Sequence, residues 1–137
     1  MTSDEGPLRN AADLYALWQQ LMGRGGFAER TLWLLYLDAE HRPLKVIVPV
    51  DDIPVEPDPD MFCNLDLWLD HTREEYGAAT VPMLLSRPGP HAMTDADRRW
   101  AALIRRRLAR HLGGWPVHLA TCNRIQVFAP DDLIAAS

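Results

Sequence analysis

The segment Thr31–Leu37 (TLWLLYL) most constrains what this chain can fold into. It is apolar on both of its alternating faces and too short for a buried helix, so it predicts a central β-strand covered on each side. Its neighbours supply the cover. Apolar residues at Leu14, Leu17, Trp18, Leu21 and Met22 have the i, i+3, i+4, i+7 spacing of an amphipathic helix over Ala11–Met22, stopped by Gly23-Arg-Gly-Gly26. After a turn at Asp38–Pro43, Leu44–Val50 returns as an antiparallel strand.

The remaining chain continues in the same style. Asp51–Asp60 is a Pro/Asp-rich linker. Asp58 followed by Pro59 predicts a helix start, and that helix runs to about Tyr76 and ends at Gly77. Thr80–Ser86 reads as a strand with Pro82 near its start or on an edge. Thr94-x-x-Asp97 is a capping signal for one long helix, expected to end at Gly113-Gly114. Trp115–Ala120 and Ile125–Ala129 form a closing hairpin. The expected fold is a single three-layer α/β domain over 11–137, a mixed sheet flanked by helices in the order α-β-β-α-β-α-β-β, after a flexible tail at 1–10.

Composition narrows the function classes. The 137 residues suffice for one domain, and 47% apolar content builds a real core. There is no apolar run of the roughly 20 residues that a membrane span needs, so no membrane partner is expected. The start, Met1-Thr-Ser-Asp-Glu-Gly6, is acidic and lacks the apolar stretch of a signal peptide, which predicts a cytoplasmic protein. Cys63 and Cys122 frame no disulfide scaffold and read as packing or turn residues.

Charge is uneven. Residues 1–86 carry 15 acidic and 6 basic groups, whereas residues 87–137 carry 4 acidic and 8 basic ones. On a helical wheel of 95–112, Trp100, Ala101, Ile104, Leu108, His111 and Leu112 share one arc. Arg98, Arg99, Arg105, Arg106 and Arg110 occupy the other, with Arg107 at the border and Leu103 among the arginines. This face is either solvated or meets an acidic partner, with the acidic half of the chain itself the foremost complement, within one molecule or between copies. Nucleic acid is a weaker fit: the whole chain is acidic, and no aromatics interleave with the arginines to stack bases.

Site chemistry is sparse. No glycine-rich phosphate loop follows a strand, and no H-x-E with P-C-x-x-C marks a zinc deaminase, so no cofactor is implied. The histidines are scattered. His111 falls in a last helical turn that favours a cation, and His91 precedes Thr94, Asp95 and Asp97, whose oxygens are the nearest candidates to join it around a metal.

Two stretches carry a family likeness: Glu29–Arg42, and Arg87-Pro-Gly-Pro-His-Ala-Met-Thr-Asp-Ala-Asp97 leading into a long helix. Val117-His118 and Asp132-Leu133 follow in order. From about Glu29 to Ile134 the chain resembles a RadC-type domain of the JAMM/MPN superfamily. That family has H-x-H-P-S-G-D and then S-x-x-D opening a helix. The resemblance implies that the positions matching its two zinc-binding His and its Asp are Leu85, Arg87 and Asp97, with Thr94 at the S-x-x-D start and Glu29 nearest its upstream Glu. Leucine cannot bind zinc, and a guanidinium repels it. The implied function is therefore a metal-free, non-catalytic binding or scaffold domain, which works through a protein partner or self-association. The alternatives are a metal-dependent hydrolase with a site rebuilt around His91, Asp95, Asp97 and His118, and an anionic-ligand or nucleic-acid binder using the arginine helix.

Overall fold

A computed structural model describes residues 6–23, 27–122 and 124–129. Its elements are α1 (Ala11–Met22), β1 (Thr31–Leu37), β2 (Pro43–Val50), α2 (Pro59–Tyr76), β3 (Met83–Ser86), α3 (Asp95–Arg107), α4 (Ala109–Leu112), β4 (His118–Thr121) and β5 (Arg124–Val127). The strands form one mixed sheet in the order β2-β1-β3-β4-β5. β1 is antiparallel to β2 and β3, β3 is parallel to β4, and β4 is antiparallel to β5. The chain is thus a mixed α/β domain.

Strand alternation divides the core in two. Leu32, Leu34 and Tyr36 of β1, Met83 and Leu85 of β3 and Leu119 of β4 pack with Phe62, Leu65 and Leu69 of α2 and with Trp100 and Ile104 of α3. Leu35, Leu37, Leu84 and Ala120 face the other way, onto Leu14 and Trp18 of α1. β1 has neighbours on both edges and helices on both faces, as its uninterrupted apolar sequence demands. No helix among the described residues is long and apolar enough to cross a membrane.

Helix starts follow their capping chemistry. The Asp58 carboxylate accepts the Asp60 N–H, and Pro59 opens α2. The Thr94 hydroxyl accepts the Asp97 N–H at 3.1 Å, while Asp97 Oδ2 accepts the Thr94 N–H at 3.0 Å, a complete capping box. Pro49 lies opposite Trp33 on β2. Leu35 donates its N–H to the Pro82 carbonyl, so odd-numbered β1 residues turn their backbone groups towards β3. Pro49 therefore faces the free edge of the sheet, where its missing N–H costs no ladder bond.

Several sequence expectations are corrected. The single long helix breaks at Leu108 into α3 and α4. The break turns the His111 carbonyl to accept the Val81 N–H, and it lets the imidazole reach α2. Gly113 ends α4 at φ +60° so close to Thr80 that a Cβ would lie 2.2 Å from its Cγ2. The last strand pair is shorter than expected. Trp115 donates its N–H back to Leu112 and Pro116 has none to give, so β4 starts only at His118. β3 likewise starts beyond Pro82, although Thr80 keeps an isolated bridge to Leu37. Within the expected tail, Leu8 is buried and donates its N–H to the His41 carbonyl, and Asn10 caps α1. Residues 1–5, the Arg24–Gly26 stop signal and Asp132-Leu133 lie outside the described residues.

Candidate functional site

The most chemically specific feature is a closed ion pair where β3 meets α3. β3 delivers Leu85 and Arg87 to the α2–α3 side of the sheet, and the Arg87 N–H extends the ladder to the Ala120 carbonyl at 3.1 Å. Arg87 then turns back into its own loop. Nε donates to Asp97 Oδ1 and Oδ2 at 2.9 and 3.0 Å, and Nη2 donates to Oδ2 at 2.7 Å. Nη1 donates to the carbonyls of Pro88 and Pro90, and Nη2 to that of Ala92, all at 2.9–3.0 Å. All five guanidinium protons are thereby used. Gly89, at φ +100°, forms the bend of this loop, and a Cβ there would stand 3.4 Å from Nη1.

Asp97 is equally committed. It is fully buried, holds the capping box and takes a further contact from Arg30 Nη1 at 3.3 Å. Burial opposes its ionisation most strongly. The Arg87 bonds and the Thr94 N–H outweigh that opposition and hold the carboxyl below the usual aspartate range. With every lone pair engaged and Arg87 only 4% exposed, the pair organises the loop and offers no open coordination position.

The other metal candidates are not gathered around it. His91 is exposed, and its carbonyl accepts from the Gln126 side chain. Asp95 is exposed and pairs with Arg98 at 3.3 Å. His118 is buried on the opposite face of the sheet, beside Leu84 and Tyr15, because its register partner Leu84 points to α1. Burial pushes its imidazole down to about 4, and Nδ1 has no hydrogen-bond partner among the described residues. The hydrolase site built from His91, Asp95, Asp97 and His118 is therefore not assembled. No group of three or more His, Cys, Asp or Glu among the described residues is placed to hold a metal. Glu29 is exposed ahead of β1, and it is the adjacent Arg30 that reaches Asp97. Cys63 and Cys122 are both exposed free thiols.

The arginine helix is more engaged than its wheel suggests. Arg99 grips Glu56 with two bonds of 2.8 and 2.6 Å. Arg110 spans Asp66 and Asp70 at 2.6–2.9 Å. Leu103, expected among the arginines, is half-buried and packs against the core. Arg105, Arg106 and Arg107 stay exposed, with no ion-pair partner among the described residues.

Sequence reasoning missed a second network. His111 is buried, with Nε2 2.7 Å from Asp66 Oδ1 and Nδ1 3.0 Å from Arg73 Nη1. A carboxylate accepts and a guanidinium donates, so the imidazole is neutral with its proton on Nε2. Burial lowers its pKa against the pull of Asp66, which corrects the expectation of a helix-terminal cation. The spacing of Asp66, Asp70 and Arg73 on one side of α2 was the available signal.

No family model matches the chain, and no curated protein matches it in sequence.

Proposed function

We propose that the chain is a metal-free, non-catalytic binding or scaffold domain similar to the RadC-type JAMM/MPN domains. One observation carries this reading: the guanidinium of Arg87, at the position where the resemblance implies a second zinc-binding His, lies against Asp97, the implied acidic ligand. A positive charge built into the chain occupies the place where the resemblance would put a metal ion, and leucine stands at the first His position. The reading includes a cytoplasmic setting, supported by two exposed free thiols, which a reducing compartment preserves. Metal analysis of the purified protein tests it. Substoichiometric zinc and manganese are expected, and one equivalent of either overturns it.

A second reading, an anionic-ligand or nucleic-acid binder, is favoured by the exposed cations Arg105, Arg106 and Arg107, which have no ion-pair partner among the described residues. Retardation of a short RNA that disappears as salt rises supports it. No retardation at low salt removes it.

A further inference from the structure

We infer that the cleft between α3 and the segment after β2 is the seat of a two-fold self-association, in which Arg106 and Arg107 of one copy meet Asp58 and Asp60 of the other. The inference rests on the binding-domain reading and names its partner as a second copy of this chain. The cleft encloses about 310 Å³ between Pro57 and Pro59 on one wall and Leu103, Arg106 and Arg107 on the other. The Glu56–Arg99 pair also lines it. That pair neutralises itself and leaves charge of both signs unanswered around one apolar cleft. Arg106 and Arg107 have no ion-pair partner among the described residues, and neither do Asp58 and Asp60, which flank Pro59 at the exposed start of α2.

Adjacent patches of opposite sign are self-complementary under a two-fold axis, which lays each copy's cations on the other copy's acids. Nucleic acid or a purely acidic partner fits less well, because its charge would be set against Asp58 and Asp60. Half-buried Leu103, with the two prolines opposite, supplies the apolar surface to be covered. Because the ion pairs form at the rim, the association is expected to weaken as salt rises.

Sedimentation velocity of the full chain tests this with the parent, Arg106→Glu, Asp60→Arg and an equal mixture of the two variants. Both side chains are exposed, so the fold tolerates either change. The parent is expected to dimerise at low salt. Each variant alone should weaken the dimer by at least about tenfold, since two symmetric attractions become repulsions. The mixture should recover it, because each copy then offers what the other lacks. A parent that is monomeric at high concentration and low salt overturns the inference, whatever its metal content. So does a parent that dimerises while the mixture fails to recover, and so does a monomeric parent that instead retards RNA. The domain reading stands or falls separately, on the metal analysis.

Discussion

Arg87 holds both carboxylate oxygens of Asp97 while its remaining donors fill three carbonyls of its own loop, so one side chain ties the end of β3 to the first turn of α3. Removing Asp97 strands the buried guanidinium, and removing Arg87 leaves the buried carboxylate only the longer contact from Arg30, the costly way to break a buried pair. Arg87→Met is expected to destabilise the fold by about 3–5 kcal/mol. The double change Arg87→Met with Asp97→Leu should cost less than the sum of the singles. Chemical denaturation of the four proteins measures the coupling. Strict additivity would mean that the two residues do not act as a pair.

His118 predicts an acid-side loss of stability. Its folded pKa, about 4, lies below the ordinary 6.5 because burial disfavours the cation. The unfolded chain therefore binds a proton that the folded one refuses. The stability contributed by neutral His118 is complete above pH about 6.5 and falls as pH drops towards 4, by about 3 kcal/mol over the window. His118→Leu should flatten this limb, leaving the smaller slope of His111, whose pKa is lowered in the same direction. Denaturation midpoints across that pH range are the measurement, and an unchanged slope would refute the assignment.

Thr94→Ala removes half of the capping box at α3. A loss of about 1 kcal/mol is expected. Thr94→Ser should restore most of it, since the accepting oxygen is kept. Thermal melts of the three proteins give the comparison, and equal melting temperatures would show that the hydroxyl adds nothing.

Leu85 and Arg87 point to the same side of the sheet as Asp97. Changing both to His is expected to bring two imidazoles towards a carboxylate that has lost the Arg87 guanidinium. The double variant is expected to be less stable than the parent and to regain melting temperature when zinc is added, whereas the parent does not respond. Absence of a zinc response would mean that the loop holds these side chains out of ligand geometry.

The elements were legible where the local chemistry is self-contained. α1 and α2 begin and end where capping residues and glycines place them, and β1 declares its burial through the six apolar residues that follow Thr31. The Leu108 break was not legible, because nothing at Leu108 disfavours helix. It arises from bonds made far along the chain, Val81 N–H to His111 and His111 to Asp66. The candidate site was half legible. The family resemblance points to Arg87 and Asp97, and the capping signal to Thr94 and Asp97. That the arginine would fold inward onto the aspartate depends on a loop whose carbonyls converge, which residue types do not encode. Arg30 carried no local signal, since its contact with Asp97 crosses 67 positions.

The guanidinium that gathers the carbonyls of Pro88, Pro90 and Ala92 is joined to the backbone beneath them. An ion bound from solution leaves on dilution and yields to a chelator, and its occupancy follows its supply. This cation has no dissociation constant at all. The order of the loop is accordingly set once, when the chain folds, and is independent of whatever ions the surroundings provide.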